Sequence, residues 1–129
     1  MQFGYTIVYV GDVEASLAFY ERAFGLQRGF VSPGGEFGTL ATGATALAFC
    51  QHAVARDSVG HDYVAAAESA KPLGMEIGLC TADVPAAFER AVAAGAVALN
   101  PPQTKPWGQT VAYLRCPDGS LVELCTPMG

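Results

Sequence analysis

The sequence predicts an α+β domain built from two tandem βαβββ modules, and three observations carry that prediction. First, 129 residues suffice for one domain or two half-size units sharing a core. Second, the chain reads as one short unit written twice. Gly4-Tyr5-Thr6-Ile7-Val8-Tyr9-Val10 before Asp12 is matched by Gly74-Met75-Glu76-Ile77-Gly78-Leu79-Cys80 before Asp83. Third, each copy closes on an apolar strand, Ala46-Leu47-Ala48-Phe49-Cys50 in the first and Leu121-Val122-Glu123-Leu124-Cys125 in the second. A duplicated unit of this kind builds a shared cavity between its copies. Stacking the copies sets Tyr5 against Glu76 and Ala48 against Glu123.

The elements follow in order. Residues 4–10 alternate as a strand, with Val8 and Val10 on one face and Tyr5, Ile7 and Tyr9 on the other. Asp12 is a helix N-cap, Val13, Leu17, Tyr20 and Phe24 recur at helical spacing, and Gly25 stops the helix. Strands are expected at 27–32, 36–42 and 45–51, with a turn at Ser32-Pro33-Gly34-Gly35. In the second copy a strand at 75–81 precedes Asp83 as cap. Pro85 is tolerated in the first helical turn, and Val84, Phe88, Ala91 and Val92 form the apolar stripe up to Gly95. A short strand near 96–99 is expected to break at Asn100-Pro101-Pro102. Strands near 109–115 and 121–126 are joined by the turn Cys116-Pro117-Asp118-Gly119. Module one thus covers about 1–52 and module two about 73–129. The linker at about 53–72 has a helical turn or two near Val64–Glu68 and serves as connector or lid.

Composition narrows the function classes. Half the residues are hydrophobic and 15% are charged, which suits a filled globular core. The net charge is −5 and the arginines and lysines are dispersed, so a nucleic-acid-binding surface is not expected. No apolar run reaches membrane-span length, and no basic-then-apolar leader opens the sequence, so the expectation is a cytoplasmic protein. Cys50, Cys80, Cys116 and Cys125 form no C-x-x-C pair and are expected as reduced thiols.

The twice-repeated βαβββ order, the Asp12-capped helix carrying Phe19-Tyr20 and Phe24-Gly25-Leu26, and the ending Pro117-Asp118-Gly119-Ser120-Leu121-Val122-Glu123 resemble the vicinal oxygen chelate superfamily. That superfamily contains glyoxalase I, fosfomycin- and bleomycin-resistance proteins and extradiol dioxygenases. The resemblance implies modules whose sheets curl into a partly open cavity, usually in a homodimer. It also implies metal ligands at the start of the first strand and in the last strand of each unit, which fall on Tyr5, Ala48, Glu76 and Glu123. Ala48 has no donor atom and neutral tyrosine is a poor ligand, so a transition metal is not expected. A hard divalent cation held by Glu76 and Glu123 with substrate oxygens is the alternative.

The leading expectation is therefore a small-molecule binder of the bleomycin-resistance type. It would sequester a hydrophobic or cationic compound without a metal cofactor, with Tyr5, Ala48, Glu76, Trp107 and Glu123 as ligand-binding residues. The alternatives are a metal-dependent glyoxalase-like, lyase or dioxygenase enzyme using Glu76 and Glu123, or a metal-free enzyme with one of them as general base. A relic Glu123 hydrogen-bonded to Tyr5 is the bland alternative for that carboxylate. Phe37 and Tyr113 are further candidates for lining the groove, with the facing of each left open by strand parity. Cys50, Cys80 and Cys125 share the cavity-facing parity, as small filling residues or as a soft-metal or arsenical site. His52 and His61 lie in the linker with a surface role.

Overall fold

A computed structural model describes residues 1–128; Gly129, the last residue of the expected second module, lies outside them. The first module runs β1 (Tyr5–Val10), α1 (Val13–Phe24), β2 (Gln27–Val31), β3 (Phe37–Ala41) and β4 (Ala46–Gln51). Its sheet has the order β1-β4-β3-β2, with β1 parallel to β4 and the remaining pairs antiparallel. Asp12 caps α1 by accepting from the Ala15 N–H at 3.0 Å, and Gly25 ends it in the left-handed conformation.

The linker follows with α2 (His52–Val59) and a 3₁₀ turn at Ala66–Glu68. The second module repeats the plan with β5 (Glu76–Cys80), α3 (Val84–Ala94), β6 (Val97–Thr104), β7 (Thr110–Arg115) and β8 (Leu121–Cys125). Its sheet has the order β5-β8-β7-β6, and Asp83 caps α3 through the Ala86 N–H. The α+β architecture of two tandem βαβββ modules is the one the duplication predicts.

One core serves both modules. Val10, Leu17, Tyr20, Leu40, Leu47 and Phe49 from the first join Val84, Ala91, Leu114, Val122 and Leu124 from the second. Helix α1 packs directly on α3, and each sheet lays its helix-facing side on this pair. The strand parity is the expected one: Val8, Val10, Ile77 and Leu79 turn to the core. The opposite faces, bearing Tyr5, Ile7 and Tyr9 or Glu76, Gly78 and Cys80, turn away from it.

A buried hydrogen bond locks the modules together. The Tyr20 hydroxyl of α1 donates to Asp118 Oδ2 at 3.1 Å in the β7–β8 turn, while the Ser120 N–H donates to Oδ1 at 2.9 Å. Burial pushes the Asp118 carboxyl up from its ordinary value, and those two donors oppose the shift. Burial also holds the Tyr20 phenol well above its usual range, the Asp118 charge adding to it.

Three local expectations need correction. Strand β6 does not stop before its prolines but runs through Pro101 and Pro102, with irregular register against β7 between Ala98 and Gln103. It is the outer strand of its sheet, where a missing N–H breaks no ladder on the free side. Val92, expected in the apolar stripe of α3, is exposed. The linker begins with a full α-helix at His52, which is short and has no capping side chain at Gln51 to announce it.

Candidate functional site

The site grows from strand register. Parallel pairing of β5 with β8 sets Glu76 across from Leu121, Gly78 across from Glu123, and Cys80 across from Cys125. Antiparallel pairing of β7 with β8 sets Tyr113 across from Glu123. Side chains two residues apart share a face. One open face of the second sheet therefore carries Glu76, Glu123, Tyr113, Cys80 and Cys125. Gly78 leaves a gap in this surface, and a side chain there would meet Glu123 Oε1.

Glu123 is half-buried and accepts a 2.9 Å hydrogen bond from the Tyr113 hydroxyl at Oε2, not from Tyr5. That bond pushes the Tyr113 phenol up to about 12, with desolvation and the Glu123 and Glu76 charges adding to it. The Glu76 carboxyl is raised as well, first by partial desolvation, then by the Glu123 charge and a shared hydrogen bond. The two carboxylates thus stand on neighbouring strands of one open face.

Among the described residues no cation pairs with either carboxylate. The ion pairs among the described residues are Arg28 with Glu14 and Glu21, and Arg56 with Asp62. Arg115 shares the parity of Tyr113, but its guanidinium is turned to the backbone. It donates to the carbonyls of Ala66, Ser69 and Gly119, tying the linker to the second sheet.

Tyr5 and Ala48 stand on the corresponding face of the first sheet. Tyr5 is 64% exposed, whereas Ala48 is buried between Ile7 and Thr39, its neighbours in the β1 and β3 ladders. No hydrogen bond joins Tyr5 to Glu76 or Glu123 among the described residues. The structure brings together the two glutamates and leaves Tyr5 and Ala48 on the other sheet. A cleft of about 650 Å³ does draw on both modules, lined by Thr6, Val8 and Leu47 on one side and Glu76, Ile77 and Leu79 on the other. Of the five expected ligand-binding residues, Glu76 alone lines it.

Trp107 occupies the β6–β7 turn and is largely exposed. Its indole N–H donates to Gln109 Oε1 at 3.0 Å, and Gln109 donates to the Thr126 carbonyl, placing Trp107 beyond the Cys125 end of β8. His52, expected in a surface role, has its Nδ1 2.6 Å from the Tyr63 hydroxyl. The Tyr63 ring in turn packs on Tyr9, so the linker roofs one end of the first sheet's open face. His61 is exposed.

Sequence reasoning left Tyr113 without an assigned facing. The signal was present: a tight turn at 116–119 fixes the pairing of the flanking strands, and counting outward from it sets residue 113 opposite 123.

The profile of the Glyoxalase/Bleomycin resistance protein/Dioxygenase superfamily matches residues 2–124. The chain belongs to this superfamily. Among solved structures of the fold, a glyoxalase-related enzyme from Fulvimarina pelagi is 26% identical with a TM-score of 0.82, covering 98% of this chain and 88% of that one. A protein of unknown function from Agrobacterium tumefaciens str. C58 is also 26% identical, with a TM-score of 0.78 and coverage of 98% and 94%. The hypothetical protein SA1046 from S. aureus shares the fold at 18% identity, with a TM-score of 0.80 and coverage of 98% and 94%. No curated protein matches. No helix among the described residues is long and apolar enough to cross a membrane.

Superfamily membership raises the question of a metal. Among the described residues, no three His, Cys, Asp or Glu side chains are grouped so as to hold a metal ion. Tyr5, Ala48, Glu76 and Glu123, where the sequence resemblance puts the ligands, supply two carboxylates, a phenol and a methyl group, a donor set that does not fit a His- and Glu-rich centre.

Proposed function

We propose that this superfamily member binds a small cationic or hydrogen-bond-donating molecule on the open face of the second sheet, without a metal cofactor. The observation that carries the reading is that Glu76 and Glu123 stand on one open face, and among the described residues neither is in an ion pair. A ligand cation between the carboxylates would relieve their repulsion and lower the raised Glu76 carboxyl. Tyr113 steadies Glu123 and supplies an aromatic flank, and Trp107 is free to cover a flat ligand.

A homodimer fits this reading. A second copy laying its Tyr5–Ala48 face over the Glu76–Glu123 face would unite the four positions and enclose the acidic pair. Four free thiols suit a reducing compartment such as the cytoplasm.

The test is titration of cationic aromatic compounds followed by Trp107 fluorescence and by melting temperature. A bound compound should raise Tm and shift the emission, and both effects should vanish in Glu123→Gln. A panel that changes neither signal defeats the binding reading. Stoichiometric Mn, Fe, Ni or Zn in protein purified without chelator, lost in Glu123→Gln, defeats its metal-free part and favours the metal-dependent enzyme. Turnover with a pH profile abolished by Glu76→Gln assigns a general base instead.

A further inference from the structure

The same open face holds a second kind of chemistry. Cys80 and Cys125 are direct neighbours in the parallel β5–β8 ladder, and their sulfurs lie 3.8 Å apart. Both thiols are free; Cys80 is exposed and Cys125 buried. Of the other cysteines, Cys50 lies on the first sheet and Cys116 belongs to the shared core. Adjacent strands run about 4.8 Å apart, inside the roughly 4.4–6.8 Å Cα window that a disulfide spans. Closing the bond asks the sulfurs to approach to about 2.05 Å, through side-chain rotation while the ladder stays paired.

We propose that Cys80 and Cys125 form an oxidation site, at which a hydroperoxide converts the dithiol into a disulfide bridging β5 and β8. Exposure makes Cys80 the sulfur that meets the oxidant. It attacks one peroxide oxygen, the O–O bond breaks, an alcohol or water leaves, and Cys80 becomes a sulfenic acid. The Cys125 sulfur then attacks the Cys80 sulfur, and the S–O bond breaks. The departing oxygen leaves as water, carrying the proton that Cys125 gives up. Two thiols and one hydroperoxide thus yield one disulfide, one alcohol and one water, with two electrons passing from sulfur to peroxide. The division of labour agrees with the Cys125 thiol being pushed up to about 12, first by burial and then by Cys80 and Glu123, which keeps it protonated until it is needed. The bridge would pin the outer strand that carries Glu76 to the strand that carries Glu123. The assignment does not depend on what the acidic pair binds.

The experiment treats the fully reduced whole chain with hydrogen peroxide and follows thiol count, intact mass and peptide mapping. The expected result is loss of two of the four thiols and of two hydrogens in mass, a mapped Cys80–Cys125 link, and reversal by dithiothreitol. Cys80→Ser, at an exposed position, abolishes the link without threatening the fold. Cys125→Ser leaves Cys80 as a sulfenic acid that dimedone traps. Oxygen added to wild-type Cys80 without the link, a bridge between chains, or a link through Cys50 or Cys116 overturns the proposal. So does the absence of reaction under conditions that oxidise a free cysteine peptide.

Discussion

The two open faces come from one duplicated plan and have diverged in opposite directions. In the first sheet the face carries Tyr5, Ile7, a buried Ala48 and Cys50, and the linker closes one end through Tyr63 on Tyr9. It is neutral and partly roofed. In the second sheet the matching positions carry Glu76, Glu123 and a facing pair of thiols, with Tyr113 as the sole hydroxyl donor to Glu123. It is acidic and open. The helix-facing sides show no such split, since both are apolar and share one core. Packing constrains the buried side of each module alike, while the open side is free to acquire different chemistry.

The contrast also appears in the turns that close the sheets, where the largest effect is expected. Gly119 and Gly43 both hold positive φ. A Cβ at 119 would collide with the Ala66 backbone, whereas one at 43 meets nothing within 4 Å. Gly119→Ala should cost about 3 kcal/mol or more, since neither backbone can yield cheaply. Gly43→Ala should cost roughly 1 kcal/mol from φ strain alone. Urea denaturation of the pair measures both, and equal losses would show that the linker does not press on the second sheet.

Next comes the attempt to make the faces alike. Ala48→Glu places a carboxylate at the position matched to Glu123, but at a buried site between Ile7 and Thr39, whose hydroxyl is already engaged with the Phe30 backbone. A loss of about 3 kcal/mol is expected from the uncompensated buried charge, read from the denaturation midpoint. A neutral outcome would mean that the first face opens as readily as the second.

A smaller effect belongs to the lock between modules. Tyr20→Phe removes the donor to Asp118 and should cost about 1–3 kcal/mol, the range for a buried acceptor left short of a partner. The raised Asp118 carboxyl sets the sign with pH. The folded protein holds the proton more tightly than the unfolded chain, so stability falls as pH rises from the ordinary carboxylate range toward the raised value. Thermal melts across that window should show the fall in wild type and a smaller one in Asp118→Asn.

The smallest effect is the coupling of the acidic pair. Carbon-detected NMR should find the Glu76 carboxyl titrating above its ordinary value, and moving down in Glu123→Gln when the neighbouring charge is gone. Because Glu76 is raised, its ionisation likewise opposes folding as pH rises through that range. Glu76→Gln should therefore raise Tm slightly at neutral pH. A Glu76 midpoint indifferent to Glu123 would separate the two carboxylates.

Much of this was legible in the chain. Asp12 and Asp83 marked both helix starts, and period-two alternation assigned the faces of β1 and β5 correctly, because half-buried strands force that pattern. Glu76 and Glu123 were found by laying one copy over the other. What the sequence did not reveal depended on three-dimensional packing. Alternation says which residues share a face, but not that α1 packs on α3 and one core serves both modules. The linker helix was missed because it is only two turns long and lacks the capping aspartate that marks α1 and α3, and tertiary contact, including the His52–Tyr63 pairing, helps to hold it. The break expected at Pro101-Pro102 failed because a proline's effect on a strand depends on whether its N–H side is in use.

That last feature reaches beyond strand assignment. A free sheet edge is an invitation to any extended chain, and β6 meets it with two consecutive prolines. A proline on that border has no N–H to offer, so an added strand could not run an unbroken ladder past it. The two edges of the acidic sheet are therefore unequal, and β5, the strand that carries Glu76, is left as the one where a further strand could pair along its whole length.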